Sequence, residues 1–127
     1  MDKELIFKAS MLQQQSEQIE QKLGLIGQQL HELRKFKSEL EEIIKDDKKE
    51  ILAPLGKGIF LKSTIIEDKL FVDVGAGVLV KKTPEDTQKI VEVQITRLDE
   101  LADSTNEEFE KINLKLTSLM SEIEKNK

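Results

Sequence analysis

A heptad pattern of apolar residues near the start of the chain restricts its fold more than any other feature. Steps of four and three residues alternate along the pattern, and ten of its twelve positions are apolar. This spacing is typical of a helix that packs lengthwise against another helix. At about 1.5 Å per residue, the apolar seam would extend for about 60 Å. Its positions are Leu5, Ala9, Leu12, Ser16, Ile19, Leu23, Ile26, Leu30, Leu33, Lys37, Leu40 and Ile44.

A second seam with the same spacing lies near the end of the chain, and Thr105 is its only polar member. We therefore predict that the partner helix belongs to the same chain and runs antiparallel to the first helix. The positions of the second seam are Val91, Ile95, Leu98, Ala102, Thr105, Phe109, Ile112, Leu116, Leu119 and Ile123.

Capping and charge patterns set the ends of the two helices. The second helix should begin near residue 84, because Thr83 offers a capping hydroxyl, Pro84 suits the first helical position, and Glu85 and Asp86 follow. The first helix should end around 46–50, in the charged run 45–50 that precedes Pro54.

Between the helices, the pattern changes to β-branched and aromatic runs interrupted by glycine. It predicts four short strands that form two hairpins, and the strands are 51–55, 58–66, 70–74 and 78–81. Two small hairpins are marginally stable alone, and their apolar faces and edges would be open to water. We therefore expect several subunits to combine their strands into one barrel or sandwich, in a ring of identical or of mixed chains.

The predicted fold class is thus mainly α, a long antiparallel coiled-coil hairpin with two β-hairpins between its helices. The expected organisation is one structural domain with a first coiled-coil helix at 1–50, a β oligomerisation segment at 51–82 and a second helix at 83–127.

Composition and charge exclude several classes of function. Charged residues make up 35% of the chain and aromatic residues 4%, which favours long solvated helices over a compact core. The net charge of -5, with acids and bases interleaved, argues against a nucleic-acid partner. The lack of cysteine fits a reducing compartment, and no segment resembles a signal peptide or a membrane span. We expect a soluble cytoplasmic protein without a membrane partner.

No residue pattern supports catalysis, a metal or a cofactor. The only histidine, His31, follows the seam position Leu30 and should face solvent, without the further ligands that a metal or a catalytic triad requires. Gly75-Ala76-Gly77 lacks the third glycine and the following helix of a dinucleotide loop. A tight turn explains this motif better, since glycine readily adopts positive φ.

Two glycines inside the first helix, Gly24 and Gly27, need a reason because each costs about 1 kcal/mol relative to alanine. One hypothesis is that they make room for Phe109 of the opposite seam. The alternative is that they are tolerated on the helix surface.

The outer ends of the helices carry apolar residues that the seams do not use. These lie off the seams in the first turns of one helix and the last turns of the other, and they are Ile6, Phe7, Met11, Leu114 and Met120. Flexible Met and Leu side chains at an exposed tip suit the binding of varied apolar surfaces. Alternatively, they thicken the seam or bind one fixed partner.

The order of helix, paired hairpins and helix resembles an alpha-class prefoldin subunit over the whole chain. The specific part of the resemblance is Pro54-Leu55 before the first hairpin and the block Val72-Asp73-Val74-Gly75-Ala76-Gly77 that leads into Thr83-Pro84-Glu85-Asp86. The chain ends soon after Ile123, which is similar to archaeal forms. Lys81 stands where the family commonly has an acid, and Leu79 where it often has an aromatic residue.

The resemblance implies an ATP-independent holdase, built as a hexamer of two alpha and four beta subunits around a double β-barrel. It would capture unfolded polypeptides and pass them to a group II chaperonin; the alternative is a structural scaffold or filament-forming subunit. The implied client-binding residues are Leu5, Ile6, Phe7, Met11, Leu12, Leu116, Leu119, Met120 and Ile123. The implied assembly residues are Ile59, Phe60, Leu61, Ile65, Ile66, Leu70, Phe71, Val72, Val74, Gly75, Gly77, Val78, Leu79 and Val80.

Overall fold

The computed structural model describes residues 2–45 and 50–125. Two long α-helices are separated in the chain by two antiparallel β-hairpins, which confirms the predicted fold class. The elements are α1 (Lys3–Lys45), β1 (Glu50–Gly56), β2 (Ile59–Thr64), β3 (Leu70–Asp73), β4 (Leu79–Lys82) and α2 (Pro84–Lys125). The chain divides into a helical unit, Met1–Glu32 with Ile95–Lys127, and a mixed unit, Leu33–Gln94.

The core of the helical unit is built from the two predicted seams. Every predicted seam position in this unit is buried or half-buried. The hydroxyl of the seam residue Ser16 donates a hydrogen bond of 2.9 Å to Oδ1 of Asn113. Farther along α1, Glu41 bonds Gln88 near the start of α2, so the two helices run antiparallel. The most buried seam members here are Ala9, Ile19, Ile26, Leu30 and Thr105.

The two glycines of α1 face outward, so the hypothesis that they make room for Phe109 is wrong. Gly24 and Gly27 are exposed, and nothing lies within 4 Å of the position that a Cβ atom would take at either residue. The cause is helical geometry, because each glycine directly follows a seam residue and is rotated by about 100° from the seam.

In the mixed unit, the last turns of α1 pack against the first turns of α2. Leu40 is only 1% exposed, and Val91 is buried opposite this part of α1. The contact also carries a hydrogen bond of 3.3 Å from Gln88 Nε2 to Glu41 Oε1. Ile44, the last predicted seam position, is exposed. Leu40 and Val91 are the hydrophobic core residues of this unit's helices.

The start of α2 has the cap that the sequence predicts. Thr83 Oγ1 accepts a hydrogen bond of 3.1 Å from the backbone N–H of Asp86, and Pro84 is the first helical residue. The backbone N–H and the hydroxyl of Thr87 both donate to the Thr83 carbonyl, at 3.0 and 2.9 Å. α1 is described as far as Lys45, and of the segment predicted to end the helix, 46–49 lie outside the described residues.

The two hairpins share one turn geometry. In the first hairpin, β1 pairs with β2 around Gly56-Lys57-Gly58, whose φ angles are 117°, 53° and 76°. In the second, β3 pairs with β4 around Gly75-Ala76-Gly77, with φ angles of 127°, 51° and 76°. Three consecutive positive φ angles explain the flanking glycines, since other residues rarely adopt this conformation. The Gly75-Ala76-Gly77 motif is therefore the turn of a β-hairpin, as predicted.

Strand boundaries differ from the prediction by one or two residues. β2 ends at Thr64, opposite Glu50 at the start of β1, so Ile65 and Ile66 belong to the connection between the hairpins. Val74 and Val78 flank the second turn, where the Val74 N–H donates a 3.0 Å hydrogen bond to the Val78 carbonyl. All four residues remain next to the strands to which the sequence assigned them.

Candidate functional site

The first candidate surface is the open end of the helical unit, and its nine predicted residues form the helix-end surface. The antiparallel pairing brings the first turns of α1 beside the last turns of α2. Five members belong to the seams and are half-buried, namely Leu5, Leu12, Leu116, Leu119 and Ile123. Four lie off the seams and are exposed, namely Ile6, Phe7, Met11 and Met120.

Helical geometry separates these two roles. Ile6 and Phe7 directly follow the seam residue Leu5, and a rotation of about 100° per residue turns them away from α2. Phe7 is 64% exposed, a large value for the largest apolar side chain at this end. The seam members hold the helices together, whereas the off-seam members are available to another molecule.

A groove along one face of α2 lies next to the predicted residues of that helix. Its volume is about 490 Å³, and its apolar lining comes from Phe109 and the exposed Leu114. The sequence marked Leu114 as an apolar residue off the seam but not as part of a site. The lining residues follow a helical spacing of three and four, the signal that could have identified them: Asn106, Phe109, Glu110, Asn113, Leu114 and Thr117.

The second candidate surface is formed by the two hairpins, and we call it the hairpin surface. In the first hairpin, only Ala53 and Ser63 are half-buried, and every other residue of β1 and β2 is exposed. Leu52 of β1 is 65% exposed, and Leu55 is exposed to the same extent. The prediction omitted both residues, although an apolar strand paired with β2 should belong to the same surface.

In the second hairpin, one face is partly covered by the protein and the other face is exposed. Leu70 and Val72 are half-buried, whereas their neighbour Phe71 is exposed, which is the alternation expected along a strand. Across from Phe71 on β4, Lys81 places its Nζ 5.4 Å from the centre of the Phe71 ring. The same Nζ lies 3.0 Å from Oε1 of Glu67, in the connection that precedes β3.

The predicted assembly residues therefore divide in the structure. Three are half-buried, namely Ile65, Leu70 and Val72. The other eleven are exposed, namely Ile59, Phe60, Leu61, Ile66, Phe71, Val74, Gly75, Gly77, Val78, Leu79 and Val80. Many exposed apolar side chains in one short segment are typical of a protein interface.

The only histidine of the sequence belongs to α1. His31 is exposed, as the sequence predicts. No group of three or more potential metal ligands comes together in residues 2–45 and 50–125. None of the helices described here combines the length and apolarity needed to cross a membrane.

The fold and its exposed surfaces define a class of protein, a helical-hairpin subunit whose β segment exposes apolar strands. The family model described as "Prefoldin subunit" matches residues 12–127. Because this match covers most of the chain, the protein belongs to the prefoldin family.

Similar proteins support the alpha-class resemblance. A prefoldin subunit alpha from Thermococcus onnurineus is 33% identical over 94 residues, which are 72% of this chain and 64% of the relative. The alignment thus spans slightly less than two thirds of that relative's length. A prefoldin subunit alpha from Pyrococcus horikoshii is 30% identical over 104 residues, 80% of this chain and 70% of the relative.

A solved structure confirms the fold independently of close sequence similarity. It is the cryo-EM structure of filamentous PFD from Methanocaldococcus jannaschii, which matches with a TM-score of 0.74 at 20% identity. The match covers 90% of this chain and 96% of the other.

Proposed function

We propose that this chain is the alpha subunit of an ATP-independent holdase chaperone in the cytoplasm. In this proposal, two copies combine with four beta-class subunits, capture unfolded polypeptides and deliver them to a group II chaperonin. Membership of the prefoldin family and the relatives named prefoldin subunit alpha support the proposal. The absence of cysteine from the sequence is consistent with a reducing compartment.

The observation that carries the capture proposal is the exposure of Phe7, Met11 and Met120 at one end of the helical unit. These side chains contribute little to the helix pairing, since they lie off both seams. Methionine is unbranched and flexible, so it adapts to apolar surfaces of different shape. Binding to varied unfolded chains requires that adaptability rather than one rigid pocket.

Assembly is proposed to occur through the hairpin surface. Each hairpin is a separate sheet of two strands, and such sheets are marginally stable in water. Large side chains such as Leu52, Phe60 and Leu79 are exposed on them, so another subunit could bury them. Burial of several such residues stabilises an interface, at about 25 cal/mol for each Å² of apolar surface removed from water.

A direct test compares client capture by two triple variants of the chain. Phe7→Ser, Met11→Ser and Met120→Ser together remove the exposed apolar side chains of the helix-end surface. Leu25→Ser, Val93→Ser and Leu101→Ser remove three exposed apolar side chains elsewhere on the helices and serve as a matched control. Each is assembled with a beta-class subunit, and light scattering then measures aggregation of a chemically denatured protein.

We expect the helix-end variant to assemble normally and to suppress aggregation several-fold less well than the wild type. The control variant should resemble the wild type. Equal suppression by all three proteins would show that clients are not held at the helix ends.

A structural, filament-forming role is the second candidate, and the similar fold of a protein described as filamentous favours it. In that role the hairpin surface would be sufficient and the helix-end residues dispensable. Electron microscopy of the purified chain distinguishes the two proposals, because extended filaments without client capture would support the structural role.

A further inference from the structure

The groove along α2 carries negative charge next to its apolar lining. Glu110 is one of the lining residues, together with Phe109 and Leu114. Residues 98–110 of α2 contain six acids and no base. Asp103 lies seven residues before Glu110, so about two helical turns place both carboxylates on the same face of α2. The groove therefore combines an apolar lining with a negatively charged edge.

These carboxylates are not neutralised by neighbouring bases. In the part of the chain that the structure describes, neither Asp103 nor Glu110 forms an ion pair. Lys111 and Lys115 each follow a lining residue directly, but a rotation of about 100° turns them away from the groove. A cation that enters the groove therefore meets uncompensated negative charge.

The neighbouring stretch of α1 adds further negative charge. Ser16 bonds the lining residue Asn113, which places the turns around Ser16 beside this part of α2. Residues 13–20 include the exposed acids Glu17 and Glu20 and no base. Charges of one sign that line a cleft raise the local concentration of oppositely charged groups. A positively charged side chain near the groove is therefore attracted by both helices.

We propose that this groove binds apolar segments of unfolded polypeptides that carry Lys or Arg beside the apolar residue, and that Glu110, assisted by Asp103, selects the positive charge. This inference rests on the proposed function in client capture and names the class of segment that is held. The apolar side chain contacts Phe109 and Leu114, while the cation lies at Glu110. The groove volume of about 490 Å³ lies within the range of about 300 to 1,000 Å³ that suits a short extended segment.

The lining also favours an unfolded segment over a second copy of this chain. Asn106 is exposed, and its amide can donate to and accept from the unpaired backbone groups of an extended segment. A second copy, with its net charge of -5, would be repelled by the acidic edge. The lining ends at Thr117, one helical turn before Met120, so a bound segment can continue onto the helix-end surface.

The first test measures how the charge of a peptide affects its affinity. Short fluorescein-labelled peptides share a Phe-Leu centre and differ only in the flanking residues, which are lysine, glutamine or glutamate. Each is titrated against the purified full chain, without other subunits, and fluorescence anisotropy gives the Kd. We expect the lysine peptide to bind about twofold to fivefold more tightly than the glutamine peptide, and the glutamate peptide to bind most weakly. The differences should shrink as salt rises.

The second test assigns the charge selection to the groove. Glu110→Gln removes the lining carboxylate, and Glu108→Gln is the matched control, since it changes the net charge equally but is rotated by about 200° from Glu110. Glu110→Gln should remove most of the advantage of the lysine peptide and leave the Kd of the glutamine peptide unchanged. Glu108→Gln should preserve the advantage. Equal effects of the two substitutions would refute selection by Glu110.

The third test concerns the apolar lining. Leu114→Ser should raise the Kd of the lysine and glutamine peptides about fivefold or more, because Leu114 is 70% exposed in the free chain and is covered when a peptide binds. Leu25→Ser, at a residue of α1 that is 62% exposed, should change the Kd less than about twofold. An unchanged Kd for Leu114→Ser would refute the groove as the binding site. Lower self-association of Leu114→Ser in analytical ultracentrifugation, with unchanged peptide binding, would assign the groove to a second copy instead.

The outcomes separate this inference from the proposed function. If the chain assembled with a beta-class subunit suppresses aggregation but the chain binds the lysine and glutamine peptides equally, charge selection is refuted and the proposed function stands. If the assembled chain does not suppress aggregation and the chain binds none of the peptides, the proposed function is wrong and this inference with it.

Discussion

The helices and the hairpins of this chain differ in how far their apolar side chains are buried. Along α1 and α2, the predicted seam residues are buried or half-buried, with Ile44 as the exception. On the hairpins, Leu52, Phe60 and Leu79 are exposed although they are equally apolar. The helices therefore bury their apolar seam residues within the chain, whereas the hairpins leave theirs exposed.

This difference indicates which segments stabilise the isolated chain and which segments need a second molecule to cover their apolar side chains. A seam residue contributes to the folding of a single chain, because its partner is in that chain. An exposed residue of the hairpin surface can contribute only when a second molecule covers it. Stability of the isolated chain and affinity for partners should therefore respond to substitutions in different segments.

The largest expected effect is a cavity in the helix pairing. Leu40→Ala should lower the free energy of unfolding by about 2 to 5 kcal/mol, because Leu40 is 1% exposed and its loss leaves unfilled space. Leu52→Ala is the matched control in the hairpin surface, where 65% exposure limits the loss to less than about 0.5 kcal/mol for the isolated chain. Urea denaturation followed by circular dichroism measures both. Similar losses of unfolding free energy for the two variants would contradict the difference drawn between helices and hairpins.

A smaller effect of opposite sign is expected from the glycines of α1. Gly24→Ala with Gly27→Ala should raise the free energy of unfolding by about 1 to 2 kcal/mol, because alanine favours the helix and nothing lies within 4 Å of either new Cβ atom. Thermal denaturation checks the gain. The same pair of substitutions at Gly56 and Gly58 should destabilise the chain, since both have positive φ. A loss of stability from the α1 pair would show that these glycines have a packing role.

The cap at the start of α2, directly after the second hairpin, should contribute less to the free energy of unfolding than the changes above. Thr83→Ala should lower the free energy of unfolding by about 1 kcal/mol, because the Asp86 N–H loses its acceptor at the start of α2. Ser104→Ala is the control, since Ser104 is exposed and its hydroxyl bonds only the Leu101 carbonyl within the helix. Denaturation curves of the two variants should be clearly separated, and coincident curves would contradict a capping role.

The sequence was sufficient for features that depend on nearby residues. The seams, the turn at Gly75-Ala76-Gly77 and the cap at Thr83 before α2 all follow from short-range spacing, and all are found in the structure. Features that depend on the surroundings of single side chains were predicted less well. For Gly24 and Gly27 the sequence left two explanations open, and the structure supports exposure on the helix surface.

The hairpins show the same limit in another form. Strand propensity alone extended β2 to Ile66, but β2 ends where β1 offers its first described residue, Glu50, as a partner. Likewise, the contact of Lys81 with Glu67 joins residues fourteen positions apart, and no local pattern indicates it. The exposure of Leu52 and Leu55 could have been inferred, because they belong to a strand that pairs with one already assigned to assembly.

The smallest expected effect concerns a charged residue in the first seam, and it shows whether the helix pairing depends on apolar contacts alone. Lys37 Nζ lies 3.6 Å from Glu92 Oε1, and about a third of the Lys37 side chain and half of the Glu92 side chain are exposed to solvent. Solvent screens such a pair, so Lys37→Met should change the free energy of unfolding by less than about 0.5 kcal/mol. Urea denaturation at low and at high salt measures this change, and the wild type should approach the variant as salt rises. A loss above about 1 kcal/mol would assign part of the helix pairing to charge, and the apolar seam would no longer account for the contrast with the hairpins.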